Sequence, residues 1–185
     1  MKSLVLTFIA TDRPGLVDTL SEAVTDAGGN WLESRMARLS EKFAGIVRVD
    51  IPADREAAFK AALSALENQG FTLTVEAAAT AAPPDGPVLH LELLGPDHPG
   101  IVHDITHCLA EHGASVEEME TSLRRAPMGG DMLFQATARV RVPAALSEDS
   151  LRDAVEALAG ALMVDITLRE DENWHDEATL VGPRP

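Results

Sequence analysis

Two six-residue stretches hold the residue types best suited to chemistry: Asp12-Arg13-Pro14-Gly15-Leu16-Val17 and, 85 positions later, Asp97-His98-Pro99-Gly100-Ile101-Val102. Each follows a short apolar run, Leu4 to Ile9 or Val88 to Leu94, and opens a segment with helical period. Each therefore reads as a strand-to-helix turn. The Asp is suited to accept from the free N–H groups of a first helical turn, where proline gives up no bond the helix needs. The Gly, lacking a Cβ, permits an unusual backbone angle or close approach to bare N–H donors. The chemistry on offer is capture of a small anion, such as a carboxylate, at the positive end of a helix. The plainer reading is that Asp-x-Pro-Gly only starts a helix.

Other reactive side chains form weaker constellations. Five of the six histidines fall between positions 90 and 112. His103 and His107 are one helical turn apart, on the side away from an expected buried face of Ile101, Val102, Ile105, Cys108 and Leu109. Such a pair holds a divalent ion weakly, and no third ligand is fixed by spacing, so no metal is assigned. His112 suits a helix C-terminus at the edge of the apolar side. Cys108, on that same apolar face, reads as a small core residue rather than a nucleophile. No phosphate-binding glycine loop, Ser-His-Asp set or paired-carboxylate arrangement stands out.

The elements that must position the two turns repeat with them. After Leu4 to Ile9, a helix is expected over Pro14 to Ala27, with Leu16, Val17, Leu20 and Val24 on one face, ending at Gly28-Gly29. Asn30 to Leu39 has irregular apolar spacing and reads as a strand with a bulge or an apolar-poor face. Phe43 to Ile51 alternates as a strand. A helix over Arg55 to Asn68, stopped by Gly70, and a strand from Phe71 to Val75 complete a βαββαβ order. The second copy keeps the offset of 85 through Ser115 and then shifts to 91, because six residues, Ala126-Pro127-Met128-Gly129-Gly130-Asp131, are added between its second and third strands. They read as a turn or flap. A helix over Ser147 to Ala159 and a strand over Leu162 to Leu168 follow. The resulting division is 1–79, a Pro-rich linker 80–87, 88–170, and a polar tail 171–185.

Composition bounds the function. The 185 residues carry a formal charge of −15, with 45% apolar and 24% charged residues, an ordinary globular balance. Residues 86 to 185 hold most of the negative charge. A domain so acidic lacks the basic face that a phosphate backbone requires, so direct nucleic-acid binding is not expected. No apolar run is long enough to span a membrane, and no signal-peptide pattern opens the chain. One cysteine excludes an internal disulfide framework and fits a reducing, cytoplasmic setting. A four-stranded sheet with helices on one face leaves unpaired edges and a second face to cover, which favours association of modules or a homodimer.

Two βαββαβ units, each with Gly after the first strand and Gly-Gly-Asn or Gly-Ala-Ser before the second, resemble a tandem pair of ACT domains over about residues 3 to 170. Ser34-Arg35-Met36-Ala37-Arg38-Leu39 with Phe43-Ala44-Gly45, and Glu118-Met119-Glu120-Thr121 with Ala126 to Gly130 and Leu133-Phe134, are similar to the glycine cleavage system transcriptional repressor family. The resemblance implies an α+β fold of two ferredoxin-like modules with antiparallel sheets, without catalysis or cofactor. It implies a small amino-acid ligand, with glycine as a candidate, held between paired modules by the first turn and the start of the second strand. Carried over, the positions are Asp12, Arg13, Gly15, Leu16 and Asn30, and Asp97, His98, Gly100, Ile101 and Ser115. Ser115 departs from the Asn common at that place, and the acidic Glu117-Glu118-Met119-Glu120 run would repel a carboxylate, so the first module is favoured. The implied role is regulation of transcription through a protein partner; the alternative is an interaction module without a ligand.

Overall fold

The computed structural model describes residues 1–79, 85–126 and 132–170. Most of the expected flap at 126–131, the first part of the linker and the tail lie outside the described residues. The chain divides into two compact units, Met1–Ala81 and Ala82–Pro185. In the first, β1 (Lys2–Thr11), α1 (Leu16–Asp26), β2 (Asn30–Leu39), β3 (Lys42–Ile51), α2 (Glu56–Glu67) and β4 (Phe71–Ala77) follow in order. The second repeats them as β5 (Val88–Pro96), α3 (Ile101–Glu111), β6 (Ser115–Arg125), β7 (Met132–Arg141), α4 (Glu148–Leu162) and β8 (Asp165–Glu170).

Each unit is one antiparallel sheet, ordered β2-β3-β1-β4 or β6-β7-β5-β8. Alternation along β1 sends Leu4, Leu6, Phe8 and Ala10 to one side, where they meet Val47, Val49 and Ile51 of β3 and the helix residues Leu20, Val24, Phe59 and Leu63. The second core has the same plan, with Leu89, Leu91 and Leu93 against Ile105, Leu109, Leu151 and Val155. Burial of each such Leu, Val, Ile or Phe side chain stabilises the fold by about 1.5–3 kcal/mol before entropy is counted. The other side of the first sheet stays partly apolar, with Ile9 43% and Ile46 55% exposed.

The irregular second strand does carry a bulge: pairing with β3 slips between Trp31 and Glu33. Its copy slips between Val116 and Glu118.

Three expectations are corrected. The first helix begins at Leu16, not Pro14, since Gly15 takes a left-handed backbone angle just before it. Val17 and Val102 are 40% and 39% exposed, because each eleven-residue helix buries only a stripe spaced by four, Leu16, Leu20 and Val24 or Ile101, Ile105 and Leu109. The last helix runs through Leu162 and the last strand starts at Asp165. There the good helix formers Ala159, Ala161 and Leu162 carry the helix on, and Met163 ends it in a left-handed conformation.

Candidate functional site

Both turns are built alike. Gly15 stands at the N-cap of α1 with φ 89° and ψ 1°, and Gly100 at the N-cap of α3 with φ 93° and ψ −9°. This is the region where a Cβ costs energy, so glycine is required by the backbone angle. No side chain caps either helix. The donors of the first helical turn are thus left to solvent or a ligand. Leu16 and Ile101 supply backbone there while their side chains enter the core.

Asp12 does not cap α1. It lies three residues before the N-cap, its N–H donates to the Glu41 carbonyl at 2.8 Å, and its carboxylate pairs with Arg38 Nε at 2.6 Å. The turn is therefore tied to the β2–β3 hairpin. Arg13 is exposed and its Nη2 donates to the Gln69 carbonyl at 3.2 Å. In the second unit Asp97 is exposed and keeps the backbone tie, donating to the Met132 carbonyl at 3.2 Å. His98 is half-buried, with Nδ1 3.2 Å from the Pro99 carbonyl.

Asn30 and Ser115 are not beside these turns. Asn30 opposes Asp50 on β3, and Asp50 opposes Ser3 on β1, whereas Gly15 follows the other end of β1. Ser3 to Thr11 spans roughly 27 Å of strand, and α1 covers about 16 Å between Gly15 and the approach to Asn30. Ser115 likewise opposes Arg141, which opposes Val88, far from Gly100 beyond Pro96. One extended residue spans about 3.5 Å. A single small amino acid therefore bridges neither pair.

One residue that matters to the turn was legible only by aligning the copies. Thr19 and Asp104 share a place at the offset of 85. The Thr19 hydroxyl donates to the Gly15 carbonyl at 3.0 Å. Asp104 instead puts Oδ2 3.8 Å from where a Cβ on Gly100 would stand, while nothing lies within 4 Å of the same point on Gly15. Asp18 lies in the first turn of α1 without reaching that point, whereas the second turn has a carboxylate beside it.

The histidine and cysteine readings resolve into local contacts. His103 and His107 stack, ring centroids 5.7 Å apart at 11°, and His107 Nε2 is 3.5 Å from Glu111 Oε1. Among the described residues no group of three or more His, Cys, Asp or Glu is placed to hold a metal ion. His112 Nδ1 is 2.8 Å from the Cys108 carbonyl. Cys108 is half-buried, and burial, with Glu111 nearby, pushes its thiol above the usual range, which suppresses the reactive thiolate. Glu117 ion-pairs with Arg141 and Arg139.

The family model of the ACT domain matches residues 2–76 and again residues 88–167. The chain belongs to the ACT domain family. Its two ACT modules superpose on an unknown protein from Galdieria sulphuraria with a TM-score of 0.78 at 33% identity, covering 91% of this chain and 98% of that one. A candidate glycine cleavage system transcriptional repressor shares the fold, with a TM-score of 0.68 at 20% identity, over 93% of this chain and 98% of that one. None of the curated proteins matches the chain. No helix among the described residues of this tandem ACT chain is long and apolar enough to cross a membrane.

Proposed function

We propose that this chain is a non-enzymatic regulator that senses a small amino acid, glycine being the first candidate, through its first ACT module. The bare N-terminus of α1 carries the reading: Gly15 is left-handed, uncapped and open, with nothing within 4 Å of its missing side chain. Such a terminus offers N–H donors and partial positive charge to a carboxylate. The second module is the poorer anion site because Asp104 stands beside Gly100.

The ligand's ammonium needs an acceptor that Asn30 of the same module cannot supply, which supports a site completed by a second copy in a homodimer. A net charge of −15 disfavours contact with nucleic acid, so transcription would be modulated through a partner regulator, in a cytoplasmic protein. The likeness to a candidate repressor of the glycine cleavage system supports this direction. The competing reading, an interaction module without a ligand, is favoured by the exposed Ile9 and Ile46 on the helix-free face. Calorimetric titration of the full chain with a panel of amino acids separates the two: saturable heat for one of them supports sensing, and none for any supports the interaction module.

A further inference from the structure

Three side chains of α3 form a line along its solvent side: His103, His107 and Glu111, each one turn beyond the last. The helix buries Ile101, Ile105 and Leu109, and residues two apart on a helix point to nearly opposite sides, so all three are exposed. The two imidazoles lie nearly parallel, ring centroids 5.7 Å apart with planes at 11°. Glu111 Oε1 is 3.5 Å from His107 Nε2. Spacing alone gives a histidine pair; the fold adds that both rings are turned to solvent, face each other, and have a carboxylate at the nitrogen of one.

The repeat supplies an internal comparison. At the offset of 85 the same line on α1 is Asp18, Glu22 and Asp26. The first module therefore presents oxygen alone, and the second replaces two of three carboxylates by imidazole. That exchange alters cation preference, since carboxylates suit magnesium and calcium whereas imidazoles suit copper, nickel and zinc. The helix end adds a charge argument. Glu111 is the last residue of α3, and no basic residue stands in the last turn, so its carboxylate adds to the partial negative charge of the terminal carbonyls. A cation held at His107 offsets both.

We propose that His103 and His107 chelate a divalent transition metal ion of the copper, nickel and zinc group. Two imidazole nitrogens at about 2.0–2.1 Å from one metal stand roughly 3 Å apart, which two exposed, facing rings reach by tilting toward each other without disturbing the core. Glu111 lends charge beside His107, and water fills the remaining positions. Among the described residues no three such groups already converge on one point, so the site is an open two-imidazole chelate rather than a closed structural cage. It shares no residue with either glycine turn. Protons compete for the same nitrogens, so acidification releases the metal. A metal bound by the folded helix stabilises the second module.

The test is an NMR titration of the full chain with Cu²⁺, Ni²⁺, Zn²⁺ and Mg²⁺. Paramagnetic Cu²⁺, added below one equivalent, is expected to broaden the amides from His103 to Glu111 first and to leave Asp18 to Asp26 sharp. Diamagnetic Zn²⁺ should shift the ring nitrogens of His103 and His107 in long-range proton–nitrogen spectra. Affinity is expected to be highest for Cu²⁺, with no ring response to Mg²⁺. His103→Ala and His107→Ala, both at exposed positions, should each weaken Cu²⁺ binding by at least about tenfold, the least that loss of even a supporting contact costs a metal site, with circular dichroism unchanged. Glu111→Gln should weaken it about threefold, as for one exposed charge contact. Broadening that centres on another histidine, that strikes the Asp18 and His103 lines alike, or that survives unchanged in folded His107→Ala would overturn the proposal.

Discussion

Thr19 and Asp104 occupy one place in two copies of the same module, four residues past the glycine that opens the helix. The Thr19 hydroxyl bonds back to the Gly15 carbonyl, whereas the Asp104 carboxylate leans toward Gly100. A fixed negative charge at a helix N-terminus does for the helix what a bound anion would do and repels the anion itself. Thr19→Asp is therefore expected to weaken carboxylate binding at the first turn by about fivefold, on the scale of ~1 kcal/mol for a terminal charge. Asp104→Thr should open the second turn and add a second set of ligand-dependent amide shifts at Gly100 and Ile101. NMR titration with glycine checks both.

Gly15→Ala should cost about 1–2 kcal/mol of stability through the backbone alone, since nothing lies near enough to clash. Gly15→Asn should cost less, because Asn tolerates the left-handed region. Urea unfolding of the two variants is the measurement, and equal stabilities of Ala, Asn and wild type would show that the turn relaxes.

The register separates Asn30 from the Gly15 turn of its own module. Formate, which has a carboxylate and no ammonium, should accordingly shift the Gly15 and Leu16 amides equally in wild type and Asn30→Ala. Glycine, whose ammonium needs an acceptor, is the probe that Asn30→Ala can weaken. Loss of the formate response in the variant would contradict the geometry.

Much of this was legible in the sequence. The repeat, the order of elements and the bulge in the second strand follow from periodicity and from the 85-residue offset, since local apolar patterning dictates them. The partner of Asp12 was not, because Arg38 is brought to it by the pairing of β2 with β3, a relationship of register that local spacing does not encode. The same holds for Asn30: the resemblance to ACT domains implied a shared site, and the direction of the strands places it at the opposite end from the turn of its own module. Met163 hid the helix end near Leu162, since a left-handed non-glycine residue carries no compositional sign. The Thr19-to-Asp104 exchange was readable from the alignment of the copies and needed only the turn geometry to give it meaning.

Glu56 accepts from both Lys2 and Lys60, at 2.6 and 2.8 Å, and these bonds, Lys2 first, lower its carboxyl from 4.5 to about 2. A depressed carboxyl contributes stability that is present above its unfolded value and lost as pH falls through the folded one. The contribution should thus fade between about pH 4.5 and 2. Lys2→Met is expected to raise the Glu56 titration toward the ordinary value and to move that loss to higher pH. Carbon-detected NMR titration of the Glu56 side chain reads this directly; an unmoved titration would mean that the Lys2 contact does not persist in solution.

The central claim is that the open, uncapped turn at Gly15 holds an amino-acid carboxylate. Its most direct test is calorimetric titration of the full chain with glycine and a panel of other small amino acids, in wild type and in Gly15→Val shown to be folded by circular dichroism. The account predicts saturable binding of one of them by wild type and its loss in Gly15→Val, because the Cβ both strains the left-handed turn and stands where the carboxylate approaches. Unchanged binding in folded Gly15→Val, or no binding of any amino acid by wild type, would contradict it.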